Sequence, residues 1–105
     1  MANDRLLSLL GIARKAGRLS LGFDSVCESA AKGEAELILT ASDISEGTLD
    51  KLRRSVQEKV RILGTPYSIA DIGGALGKSV RIISINDSGF AEKAGELLNK
   101  GYGED

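Results

Sequence analysis

The stretch Gly73-Gly74-Ala75-Leu76-Gly77-Lys78-Ser79 comes nearest to a chemical motif in this chain. Read as a phosphate-binding loop, it should have four residues between its first glycine and Gly-Lys-Ser, but Gly73 leaves three and Ile72 stands at the required distance. A phosphate loop also leaves a strand and opens a helix, so that amides and helix dipole converge on the anion. Here a helical pattern precedes and a strand pattern follows, so the stretch reads as a glycine-stopped helix with a lysine stem lying along the surface. The single cysteine, Cys27, falls among apolar positions and reads as a small buried hydrophobe. Histidine is absent, which removes His-based triads, His metal sites and the usual near-neutral base. The carboxylates are scattered over polar faces and helix starts. No catalytic site, metal centre or cofactor is expected, and the chain reads as a non-enzyme.

Charge carries more information by segment than in total. The 14 Lys and Arg against 15 Asp and Glu leave a net −1, so no global basic field points to nucleic acid. Residues 1–20 hold Arg5, Arg14, Lys15 and Arg18 against Asp4, a local +3. Residues 21–36 hold Asp24, Glu28, Glu34 and Glu36 against Lys32, a local −3. Residues 46–61 are locally +2, from Lys51, Arg53, Arg54, Lys59 and Arg61 against Glu46, Asp50 and Glu58. The Arg14-Lys15-x-x-Arg18 cluster suits phosphate contact, although on charge alone its role as complement to a helix C-terminus outweighs that. A lone cysteine and the lack of a long apolar run or leader-like start predict a cytoplasmic protein with no membrane partner.

These side chains must be carried by alternating elements. Leu6, Leu9, Leu10, Ala13 and Ala16 recur at helical spacing over residues 4–16, ended by Gly17. Residues 18–20 fit a short edge strand. Phe23, Val26, Cys27, Ala30 and Ala31 form a second helical stripe closed by Gly33. Residues 36–41 and 80–85 are continuous apolar runs of strand length, suited to the middle of a sheet covered on both faces. Ser42, Asp43 and Ser45 offer caps to a third helix bearing Leu49, Leu52 and Val56, and residues 60–63 form another short strand. Ser68 with Asp71 resembles a capping box for a fourth helix bearing Ile69, Ile72 and Leu76, and residues 86–88 are expected to cap a last helix. The tail, residues 100–105, is expected to fray. At 105 residues the chain is expected to be one domain, with its core over about 4–98. This alternation predicts an α/β fold with helices on both faces of one sheet.

Taken in order, Leu6-Leu7, Arg14-Lys15-Ala16-Gly17-Arg18, Leu21-Gly22-Phe23-Asp24, the run from Lys32 to Ser45 and Gly73-Gly74-Ala75-Leu76-Gly77-Lys78 resemble the L7Ae/L30e ribosomal protein family, whose members bind kink-turn RNA. The Arg-Lys-Ala-Gly-Arg run is most similar to small bacterial, ribosome-associated members. The resemblance implies a three-layer α/β/α sandwich around a central four-stranded mixed sheet. It implies an RNA surface made by the start of the second helix and the loop before the last strand. In that family a Gly-x-Asn-Glu motif with a later lysine reads tandem sheared G·A pairs and nearby phosphates. Gly22 matches; Asp24 stands for the asparagine, Ser25 for the glutamate and Glu28 for the lysine, while Lys32 keeps a basic position. Lys78, Val80 and Arg81 fall in the loop that contacts the extruded nucleotide.

The departures have physical weight. Asparagine donates and accepts, whereas ionised aspartate only accepts. Glu28 sets negative charge where a phosphate would approach, so kink-turn recognition is expected to be weak. Asp24 also fits a capping or dipole role needing no ligand. The sequence is therefore read as a non-enzymatic RNA-binding or ribosome-associated protein acting through a basic edge of Arg14, Lys15, Arg18 and Lys32. Its partner is expected to be ribosomal or other structured RNA. The alternative is a protein-interaction adaptor that keeps the fold and docks a partner on the Asp24/Glu28 face.

Overall fold

The computed structural model describes residues 4–103, with side chains described for 5–99. The order is α1 (Asp4–Lys15), β1 (Leu19–Leu21), α2 (Phe23–Ala31), β2 (Leu37–Thr40), α3 (Glu46–Val56), β3 (Ile62–Gly64), α4 (Ile69–Leu76), β4 (Ile82–Ile85) and α5 (Ser88–Gly103). The strands form one mixed sheet in the order β1-β4-β2-β3. β4 runs antiparallel to both β1 and β2, and β2 pairs parallel with β3.

Side-chain alternation along β2 and β4 divides the core into two layers. Leu37, Leu39, Ile83 and Ile85 pack with Leu6 and Leu10 of α1, Ile72 and Leu76 of α4, and Ala94 and Leu98 of α5. Ile38 and Ile82 point the other way, onto Val26 and Ala30 of α2 and Leu52 and Val56 of α3. Every residue of the two central strands is buried, as their unbroken apolar runs require. The result is the expected three-layer α/β/α sandwich. Ile38, Ile82, Ile83 and Ile85 are each 0% exposed, and truncating one such side chain to alanine costs about 2–5 kcal/mol.

The element boundaries moved where backbone hydrogen bonds were claimed elsewhere. β1 starts at Leu19 instead of Arg18, because the Arg18 amide closes the end of α1 on the Ala13 carbonyl. β3 covers Ile62–Gly64 instead of 60–63, since Gln57 and Glu58 both adopt positive φ and the chain is still turning there. β4 begins at Ile82, after Val80 has already entered the core against α4.

The second helix spans the expected residues, but its buried face differs. Ser29 is buried and Ala31 exposed, because the Ser29 hydroxyl lies 2.6 Å from that of Ser20. Cys27 is half-buried at the rim of this layer. Asp87 caps α5, its carboxylate accepting from the Phe90 amide at 2.8 Å. Asn86 instead bridges Ser20 and Ser84. Of the tail expected to fray over 100–105, residues 100–103 belong to the α5 backbone, and the last two residues lie outside the described ones.

Candidate functional site

Strand pairing gathers several distant segments at one end of the sheet. The Gly22 amide donates to the Ile82 carbonyl at 2.9 Å, and the Ala41 amide to the Arg81 carbonyl at 3.0 Å. The Ser42 amide reaches the Tyr67 carbonyl at 2.8 Å, and the Thr65 amide the Thr40 carbonyl at 3.0 Å. The starts of α2, α3 and α4 therefore face the same way, and the 77–81 loop arrives among them. Segments at residues 22, 41, 67 and 81 become one surface.

The helix starts are not equivalent. Ser45 accepts from the Thr48 amide at 3.1 Å and caps α3. α4 carries the predicted capping box, with Asp71 and Ser68 exchanging side-chain bonds to each other's amides at 3.0 Å. Asp43 adds a third bond to that terminus, accepting from the Ile69 amide at 2.9 Å. At α2 the N-cap is Gly22 and no side chain bonds the terminal amides. Gly22 lies at φ 93°, ψ 162°, a region that only glycine enters without strain. The turn that opens α2 thus depends on this residue and leaves the amides of its first turn directed outward.

Asp24 and Ser25 are exposed on that first turn. The capping role expected for Asp24 is not seen, since its carboxylate makes no cap bond; only the favourable dipole position remains. Glu28, one turn further along, pairs with Lys32 at 3.3 Å. Lys32 lies ten residues past Gly22, roughly 15 Å along the helix, and its charge is directed to Glu28. The exposed Glu28 charge that the adaptor reading requires is thus partly compensated.

The 77–81 loop is tied at both ends. Gly77 ends α4 at φ 78° and bonds back to Gly73, the glycine stop expected in place of a phosphate loop. At this point the Arg14 guanidinium donates to the Leu76 carbonyl. Lys78 and Arg81 are exposed. Val80 is only 6% exposed and packs into the α1/α4/α5 layer, so its side chain anchors the loop.

The expected basic edge is divided by the fold. Arg14 and Lys15 end α1, beside the C-terminus of α4, while Lys32 ends α2 across the sheet. Arg18 sits at the far end of β1 from Gly22, where its carbonyl accepts from the Asn86 amide at 2.8 Å. Arg14 and Lys15 share a neighbourhood with the end of α4, and the Arg18 amide, bonded to the Ala13 carbonyl, holds Arg18 beside them. Sequence reasoning missed the Arg14–Leu76 link, which spans 62 positions and carries no local signal. It also missed Lys51, whose ammonium stands 5.4 Å from the centre of the Phe23 ring, next to Gly22. Among the described residues no helix is long and apolar enough to cross a membrane.

Comparison with known proteins gives concordant results. A sequence profile of the Ribosomal protein L7Ae/L30e/S12e/Gadd45 family matches residues 4–94. The RNA-binding protein YlxQ of Bacillus subtilis is 33% identical over 104 residues, covering 94% of this chain and 100% of that protein. Its namesake from Enterococcus faecium is 30% identical over 99 residues, covering 90% and 92%. Among solved structures, a protein of unknown function from Bacillus halodurans superposes with a TM-score of 0.82 at 28% identity, over 91% of this chain and 98% of that one. A 15.5kD RNA binding protein from Giardia lamblia gives 0.65 at 20% identity, over 90% and 82%, a likeness of fold.

Proposed function

Because the chain belongs to the Ribosomal protein L7Ae/L30e/S12e/Gadd45 family, we propose that it is a non-enzymatic RNA-binding protein that takes structured RNA, ribosomal or otherwise, at the open end of its sheet. One observation carries this reading: the uncapped start of α2 on Gly22 adjoins a loop bearing the exposed cations Lys78 and Arg81. Outward amides suit a phosphate or a base edge, and flanking cations supply the sequence-independent attraction that RNA binding needs. Arg14, held on the Leu76 carbonyl, and its neighbour Lys15 extend that attraction along the start of the loop.

The α2 surface departs from this division in sign. Asp24 cannot donate and Glu28 repels phosphate, so phosphate contact shifts to the loop and the end of α1, and kink-turn geometry is read weakly. The names of the YlxQ relatives support RNA as the ligand. Within this reading the domain spans about residues 4–98 and works in the cytoplasm, with Cys27 unpaired.

The test compares titrations of a kink-turn RNA with the wild type and with the Lys78→Ala/Arg81→Ala variant over a salt series. Loss of two phosphate contacts should lower the salt slope by about 1.4–1.8, at roughly 0.7–0.9 per contact. An unchanged slope and affinity, with the fold intact by circular dichroism, would move the RNA elsewhere on the molecule.

A further inference from the structure

At the opposite end of the sheet, the C-terminus of α3 and the approach to β3 enclose an open cleft of about 670 Å³. Its lining sets Val56, Val60 and Ile62 beside Arg53, Arg54 and Arg61, with Gln57 and the single acid Glu58 at the turn. Val56 is buried beneath it, so Val60 and Ile62, both half-buried, are the apolar surface open to a ligand, and all three arginines are exposed. The floor is thus apolar, and the rim carries three cations against one acid, Glu58.

Complementing the α3 C-terminus accounts for Arg53 and Arg54 in part, but not for Arg61, which belongs to the next segment. Nor are these charges neutralised. Arg53 approaches Asp50 only at 3.8 Å, in a pair more than half exposed, and Arg54 and Arg61 make no ion pair among the described residues. Counting Lys59 and Glu58 as well, residues 53–61 carry a net +3. The turn that closes the cleft places two successive non-glycine residues, Gln57 and Glu58, at φ 54° and 63°. Such conformations are uncommon for side-chain-bearing residues, and here they turn Val60 and Arg61 back toward Val56.

We infer that this cleft binds a single-stranded RNA segment, its bases lying on the apolar floor and on guanidinium planes while the rim arginines meet successive phosphates. Flat apolar bodies joined by monoanions match the lining better than an acidic peptide, which would leave the floor unfilled. Guanidinium planes stack on unpaired bases and bind phosphate in the same contact. The assignment rests on RNA being the ligand of this protein, and it adds a second contact at the far end of the sheet from Gly22.

The test uses a single-stranded RNA decamer alone, titrated into wild type and into the exposed double variant Arg54→Ala/Arg61→Ala, across salt. Wild type should bind with a slope near 2, at about 0.7 per phosphate for three contacts. The variant should lose about 1.4 of that slope and bind at least ten-fold more weakly. A thiouridine-containing decamer should photocrosslink to residues 53–62. No decamer binding, equal binding by both proteins, or crosslinks confined to the 77–81 loop would overturn the assignment. So would tighter binding of a glutamate decapeptide than of the RNA. Failure here leaves the kink-turn titration of Lys78→Ala/Arg81→Ala unaffected, because that site and probe are different.

Discussion

α2 and α4 begin at the same end of the sheet and treat their terminal amides in opposite ways. α4 is closed by Ser68 and Asp71 and then again by Asp43, reaching over from the β2–α3 loop. α2 begins on a glycine at φ 93° and takes no side-chain bond. A capped terminus gains stability from its own residues, typically about 1 kcal/mol. An uncapped one leaves donors for a ligand. The contrast teaches that α4 serves the fold at this edge, while α2 is free to serve recognition.

The largest effect should come from rebuilding the α2 surface. Asp24→Asn, Ser25→Glu and Glu28→Lys together restore a donor and replace a repelling charge by an attracting one. Two recovered contacts at ~1–3 kcal/mol each should tighten kink-turn binding by roughly thirty-fold to about ten-thousand-fold, toward the lower end because the site is solvated. Calorimetry on a kink-turn, and on the same duplex with its G·A pairs made Watson–Crick, reads the gain. No gain, or an equal gain on both RNAs, would mean that α2 does not read this geometry.

Next in size is Gly22→Ala. A Cβ there meets nothing within 4 Å, so the penalty is backbone strain alone, about 1–3 kcal/mol in thermal or denaturant unfolding. RNA affinity should fall with it, as the first turn of α2 shifts. A variant with unchanged stability would show that the turn relaxes without the left-handed φ.

Ser68→Ala should cost about 0.5–2 kcal/mol of stability through the lost cap and leave RNA affinity unaltered. If it weakened RNA binding as much as Gly22→Ala, the functional difference between the two termini would disappear. The smallest effect belongs to Lys32→Ala. Its pair with Glu28 is 58% and 66% exposed, so chemical denaturation should register at most about 0.5 kcal/mol. RNA binding should weaken slightly as Glu28 loses its partner; tighter binding would show that Lys32 itself hinders the RNA.

Much of this edge was legible in the sequence, and the illegible part has a common cause. The capping box at Ser68 and Asp71 and the stop at Gly77 depend on residues within a turn of each other, so their spacing was enough. Gly22 was found through family resemblance, because an isolated glycine does not announce a positive φ. The burial of Val80 is not legible in the sequence, because an apolar residue beside a strand reads alike whether it faces a ligand or the core. Ser29 was missed because only its bond to Ser20 justifies burying it. The basic edge divides at Lys32, because α2 packs on the opposite face of the sheet from α1, whereas the Arg18 amide bonds back to Ala13 and keeps Arg18 beside Arg14 and Lys15.

By itself the sequence determined the kind and order of the helices and strands, to within about two residues at their ends, and which two strands lie in the centre. Periodicity, caps and unbroken apolar runs act over a few residues, and their physics is local. Only the tertiary structure decided the strand order, with β4 inserted between β1 and β2. That order sets Arg81 against Ala41, and Ile82 against Gly22, while Arg14 reaches Leu76 across 62 positions. Asn86 likewise reaches Ser20 across 66. Such contacts are fixed by burying both faces of the whole sheet at once, a free energy that no single segment carries.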